Sequence, residues 1–120
     1  MHTLEHAVKS ELTGQGISYT TANVAASQTD SSVVAATAGK RIKVLALVAQ
    51  AGATATNITF NTKPAGAGVA ISDTMQNAAN GGRVLPFNPL GWFQTAVGEG
   101  LTATTGAGST TGVTLVYTLV

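Results

Sequence analysis

From Ser31 onward, apolar and polar positions alternate in short bursts separated by glycine, the period of extended chain with a covered face. Over about residues 41–50, Ile42, Val44, Ala46 and Val48 share one face, while Leu45 and Leu47 lie on the other. That pattern predicts a strand covered on both sides for part of its length. The next burst sets Ile58 and Phe60 on one face against Asn57, Thr59 and Asn61 on the other. A further short strand is predicted around Val69–Ile71, and Asn80-Gly81-Gly82 signals a turn ahead of Val84 and Leu85. Pro86 and Pro89 then forbid a long central strand, because proline has no N–H to give a ladder. At the end, Val113, Leu115, Tyr117 and Leu119 alternate with Thr114, Val116 and Thr118 behind a Gly-Ala-Gly-Ser turn region, which predicts a hairpin. Short strands with a turn every ~8–12 residues are the signature of an all-β sandwich or barrel.

Before residue 30 the texture differs. In "MHTLEHAVKSEL", Leu4, Val8 and Leu12 recur at i, i+4 and i+8, one narrow apolar stripe on a short helix. Thr3 is placed to cap its start, and Gly14 and Gly16 to stop it. A helix of about eleven residues is marginal in water unless its stripe docks on something. Residues 13–30 have no strong period and read as an extended arm or a lead-in strand. The expected organisation is therefore an N-terminal arm over 1–30 and one β-sandwich domain over 31–120.

Composition narrows what such a domain is for. Of the 120 residues, 44% are hydrophobic, 5% aromatic and only 9% charged. Soluble domains carry about 25% charged residues, so charge repulsion contributes little to keeping this chain apart from its neighbours. A surface of neutral polar residues explains the figure, and so does burial in an assembly, the reading preferred here. With a net charge of +1 and only Lys40, Arg41 and Lys43 near one another, the chain lacks the basic face that nucleic-acid binding needs. Those cations read instead as guards on a strand edge. Without cysteine there are no disulfides, thiolate metal sites or cysteine nucleophiles. No apolar run approaches the roughly 18 residues of a membrane span, and the N-terminus does not resemble a signal peptide.

Candidate chemistry is sparse. His2 and His6 stand at i, i+4 around Glu5, a spacing that can hold zinc, but no third ligand is nearby and an unliganded helix is the better reading. The glycine pairs at 66–68, 98–100 and 106–108 are followed by β-type sequence, not by a helix, and no Gly-Lys-Ser/Thr occurs, so they are turns and not phosphate loops. Asp73 and Glu99 form a conceivable two-carboxylate pair, yet aromatic platforms and a polar cleft are missing around them. Glu99, between two glycines, reads as an acceptor that pins its loop. A serine triad would need the arm histidines folded over the sandwich. The expectation is a protein without catalysis, metal or cofactor. One feature stands out, Trp92-Phe93, the only tryptophan beside one of three phenylalanines. Adjacent strand residues face opposite ways, so if the segment is extended one ring enters the core and the other points outside as a contact anchor; the equal alternative is that both rings plug the open end of the sandwich.

In their order, "VVAATAGKRIKVLALVAQAGATATNITFNTK" and "GGRVLPFNPLGWFQTAVGEGLTATTGAGSTTGVTLVYTLV" resemble small structural proteins of tailed bacteriophages. The anchored words are Gly39-Lys40, Gly91-Trp92-Phe93 and Gly98-Glu99-x-Leu101, and the resemblance covers about residues 31–120. It implies a jelly-roll-like two-sheet antiparallel sandwich of about eight strands that assembles as a small oligomer, a trimer by preference or a dimer. The implied function is capsid decoration: a cement protein made in the host bacterial cytoplasm, bound to the major capsid protein on the outer virion surface, stabilising the expanded head. Leu4, Val8, Leu12, Trp92 and Phe93 are the candidate assembly contacts. The alternative is a receptor- or carbohydrate-binding module of a head or tail fibre, with Trp92 as a stacking platform and Asn80, Asn88 and Gln94 as hydrogen-bonding partners.

Overall fold

Glycine and proline punctuation cuts the chain into short extended pieces, and a computed structural model, which describes residues 16–120, pairs them into two sheets. The stripe of Leu4, Val8 and Leu12 and the histidine pair lie outside the described residues. The strands are Ser18–Val24 (β1), Ser31–Val34 (β2), Ile42–Ala51 (β3), Thr56–Lys63 (β4), Val69–Ala70 (β5), Met75–Asn77 (β6), Gly82–Leu85 (β7), Phe93–Gln94 (β8), Gly100–Thr105 (β9) and Thr111–Leu119 (β10). One sheet runs β1-β10-β3-β7, with β8 also paired to β3, and the other runs β2-β9-β4-β5, with β6 also paired to β4. Every pairing is antiparallel. Because β5 with β6, and β7 with β8, each share the flank of one long strand, each sheet is four positions wide. First pairs with last in one sheet, and second with second-to-last in the other, which is the winding of a jelly roll. No helix among the described residues is long and apolar enough to cross a membrane.

The segment read as a lead-in supplies a full edge strand. Residues Ser18 to Val24 pair with Tyr117 to Thr111, and Val24 is 1% exposed in the core. The two-sheet structure therefore takes in β1 as well as everything from Ser31 onward.

The core lies between the sheets. Val24, Ile42, Val44, Leu47, Ala49, Val113 and Leu115 meet Val34, Ile58, Phe60, Met75, Leu101 and Ala103. In β4 Ile58 and Phe60 are inside as expected; of the opposite face Asn57 is exposed and Thr59 half-buried, but Asn61 is buried, bonded to Asp30 and Thr104. In β3 the expected faces do not hold throughout. Ile42 and Val44 point inward as expected, but Leu47, Ala49 and Ala51 are also buried, while Val48 is 48% exposed. The cause is a bulge: Tyr117 pairs with Val44 and Val116 with Ala46, leaving Leu45 as an extra residue. One extra residue inverts the phase of everything beyond it.

The cations do not guard an edge. Lys43 is paired on both sides, with Thr118 of β10 and Gln94 of β8, in the interior of its sheet. Arg41 exchanges two backbone hydrogen bonds with Val120, at 2.8 and 2.9 Å. Their spacing suggested an edge because neighbours beyond the turn are invisible in the strand's own sequence.

A candidate functional site at the open flank of the sandwich

The two prolines interrupt the β7–β8 position as expected, and the turn between them aims the aromatic pair. Asn88 accepts the Gly91 N–H on its backbone carbonyl (2.9 Å) and the Leu90 N–H on its side-chain oxygen (3.0 Å), closing a turn over Pro89 and Leu90. Gly91 has φ +84°, and a Cβ there would run into the stem of Lys43, so only glycine fits. The chain then rejoins β3, where Trp92 donates its N–H to the Val44 carbonyl at 2.8 Å. The alternation resolves clearly from this point. Phe93 turns inward and stacks on Phe60 of the opposite sheet, ring centres 5.6 Å apart. Trp92 turns outward, 43% exposed, with its indole N–H held by the Pro86 carbonyl at 2.8 Å.

Trp92 stands on the rim of a cleft of about 320 Å³. It opens where the edge of one sheet, near β6, faces the edge of the other, near β7 and β8. Ile71, Ser72, Asp73 and Met75 line one wall, and Arg83, Leu85, Trp92 and Phe93 the other. The floor is apolar, since Met75 is fully buried and Ile71, Leu85 and Phe93 pack against the core. Across the mouth, Arg83 Nη1 donates to both Asp73 oxygens, at 3.0 and 3.2 Å. This is the one ion pair among the described residues. It is well exposed, so its worth to stability is about 0–1 kcal/mol; its consequence is that a cation and an anion are set side by side above an apolar floor.

Neither Arg83 nor Asp73 stood out as a pair in the sequence, because the winding that joins them puts them on different sheets. Of the polar partners expected around Trp92, none reaches the cleft. Asn80 lies at the far end of β3, where its carbonyl accepts from Gln50. Asn88 is committed to its turn, and Gln94 sits on β8 opposite Lys43.

The carboxylates are held by separate partners. Asp30 accepts from Asn61 and Thr102 (both 3.2 Å) and from the Gly68 N–H (2.9 Å), fastening the β1–β2 connection to the β4–β5 loop. Glu99 accepts the Thr62 hydroxyl at 2.7 Å, and Thr62 in turn accepts the Ala96 N–H at 2.9 Å. Glu99 thus pins its loop through a threonine rather than by taking backbone N–H groups directly. Among the described residues no group of three or more His, Cys, Asp or Glu is placed to hold a metal ion.

A second surface is defined by what it lacks. Three consecutive cross-strand rows make up one part of the outer face of the β1-β10-β3-β7 sheet: Tyr19, Val116 and Ala46; Thr21, Thr114, Val48 and Val84; Asn23, Gly112, Gln50 and Gly82. None of these side chains is charged. Tyr19, Val48 and Val84 are 76%, 48% and 66% exposed. Gly112, with no side chain between Asn23 and Gln50, leaves a shallow trough at one end of the face.

No protein-family model, no curated protein and no solved structure matches the chain.

Proposed function

We propose that this protein is a non-enzymatic docking module, a decoration protein that binds the outer surface of a bacteriophage major-capsid lattice and stabilises the expanded head. The observation that carries the reading is a stretch of three uncharged rows on the outer face of the β1-β10-β3-β7 sheet, with Lys43 confined to the row beyond them, opposite Thr118 and Gln94. Apolar side chains exposed on a rigid sheet are what a surface needs if it is to be covered. The low overall charge and the phage-like words in residues 31–120 point the same way. Self-association as a trimer or dimer belongs to the same reading. The arm supplies a second contact through Leu4, Val8 and Leu12, ordered on the shell or added to a neighbour's sheet edge. Trp92 remains available as a contact, whereas Phe93 is turned toward Phe60.

The test is sedimentation with purified expanded capsids, read as copies bound per shell protein. Full-length protein is expected to saturate at dozens to hundreds of copies per particle, with binding weakened when residues 1–12 are removed. Absence of binding by the full chain would end the proposal, and unchanged binding without 1–12 would remove the arm from it.

A further inference from the structure

The geometry points to the cleft between Trp92 and the Arg83–Asp73 pair as a binding site for a neutral pyranose, a single sugar ring of a glycan. Four observations converge on that ligand. The volume of about 320 Å³ lies at the small end of the ~300–1,000 Å³ of ligand pockets, so the occupant is small. The floor of Ile71, Met75, Leu85 and Phe93 is apolar and offers no hydrogen bonds of its own, so one face of the ligand must be carbon-bound hydrogen. Trp92 contributes a partly exposed indole to the rim, and the bond from its indole N–H to Pro86 holds the ring in place before any ligand arrives. Above that floor, Asp73 accepts and Arg83 donates. Among the described residues every Arg83 hydrogen bond runs through Nη1, and Nε and Nη2 are placed to donate to ligand oxygens.

The pair also settles the ligand's charge. A lone arginine would select a carboxylate or phosphate. Here the anion is already supplied by Asp73, and among the described residues Asp73 and Arg83 are the only charged groups lining the cleft. A neutral ring with hydroxyls along one edge and an apolar face satisfies both without displacing either. Arg83 and Asp73 lie outside the three neutral rows of the docking face, so the part of the site they supply does not depend on capsid binding.

Trp92 is the only tryptophan, so its emission and its single indole N–H resonance report on the cleft alone. The experiment titrates the full chain with methyl glycosides of glucose, galactose and mannose, with N-acetylglucosamine, and with N-acetyltryptophanamide as a mimic of an aromatic side chain. The last is read only by the indole N–H resonance of nitrogen-15-labelled protein, because the mimic is itself fluorescent. A saturable shift is expected with at least one pyranoside, weakened about tenfold or more in both Arg83→Met and Asp73→Asn, as loss of a charge-assisted hydrogen bond requires. Both variants are on the surface, and an unchanged thermal midpoint separates lost binding from lost fold. If no pyranoside moves the Trp92 signals, or if the variants respond like wild type, the assignment is wrong. A response to N-acetyltryptophanamide alone overturns it in favour of a notch for a protein side chain. Capsid sedimentation of the same variants is expected to be unchanged, so this proposal and the decoration reading fail independently.

Discussion

Asp30 shows how much one side chain can organise in a protein with so few charges. It sits at φ +53°, a left-handed conformation that asparagine and aspartate tolerate better than most residues. From there its two oxygens collect Asn61, Thr102 and the Gly68 N–H, and its own N–H donates to Thr104. Gly68 must be glycine for a different reason: a Cβ would collide with Asp30 Oδ1 and, at 3.1 Å, crowd Asn61 Cβ. Asp30→Ala is expected to cost about 1–3 kcal/mol, since it strands partly buried donors. Gly68→Ala is expected to destabilise as well, by displacing that same carboxylate. If the double variant costs no more than Asp30→Ala alone, both act through one network; urea denaturation of the three variants measures it. None of this was visible beforehand, because residues 30, 61, 68 and 102 are joined only by the winding. The opposite holds at Trp92-Phe93, where alternation alone gave one ring in and one ring out, and only the turn at Asn88–Gly91 decided which.

The behaviour of β3 divides the elements that local pattern specifies from those that need the partner strand. In β4 as far as Phe60 and in the first half of β10, a period of two matches the observed burial, whereas Asn61 and Thr62 are buried in succession beneath the loops that Asp30 and Glu99 fasten. The short β7 and β8 follow from proline chemistry at 86 and 89. For β3 the same rule puts Val48 on one face with Ile42 and Val44, and the bulge at Leu45 turns it to the other; the expected cover on both sides holds at Val44 and Leu45, both fully buried. Nothing in "IKVLALVAQ" marks the bulge, since apolar residues occupy both phases and either register is tolerable until β10 pairs. The outcome is measurable. Leu47→Ala is expected to cost about 2–5 kcal/mol, as a large-to-small change in a packed core. Val48→Ala, on the solvent side, is expected to stay within about 0.5 kcal/mol. Equal costs at 47 and 48 would mean that the strand is buried on both faces and the phase inversion is absent.

At the scale of the whole molecule, the carboxylates are distributed by face. The described carboxylates are engaged at the open flank or on the β2-β9-β4-β5 side, while three rows of the opposite sheet present only neutral groups. Contacts made through such a face draw on apolar burial, which added salt does not screen, whereas contacts between exposed ions weaken as the screening length shrinks. Association with capsids through this face is therefore expected to persist at roughly 1 M sodium chloride, where that length is ~3 Å. Val48→Lys combined with Val84→Lys puts two like charges in adjacent, directly paired positions of the face. The double variant is expected to fold, because both sites are solvent-exposed, and to lose capsid binding at low salt, because each ammonium must then be desolvated on docking. Sedimentation at low and high salt checks both statements. Binding that is abolished by salt and indifferent to the two lysines would move the docking surface to a charged part of the molecule, with Lys40 and Arg41 as the first residues to test.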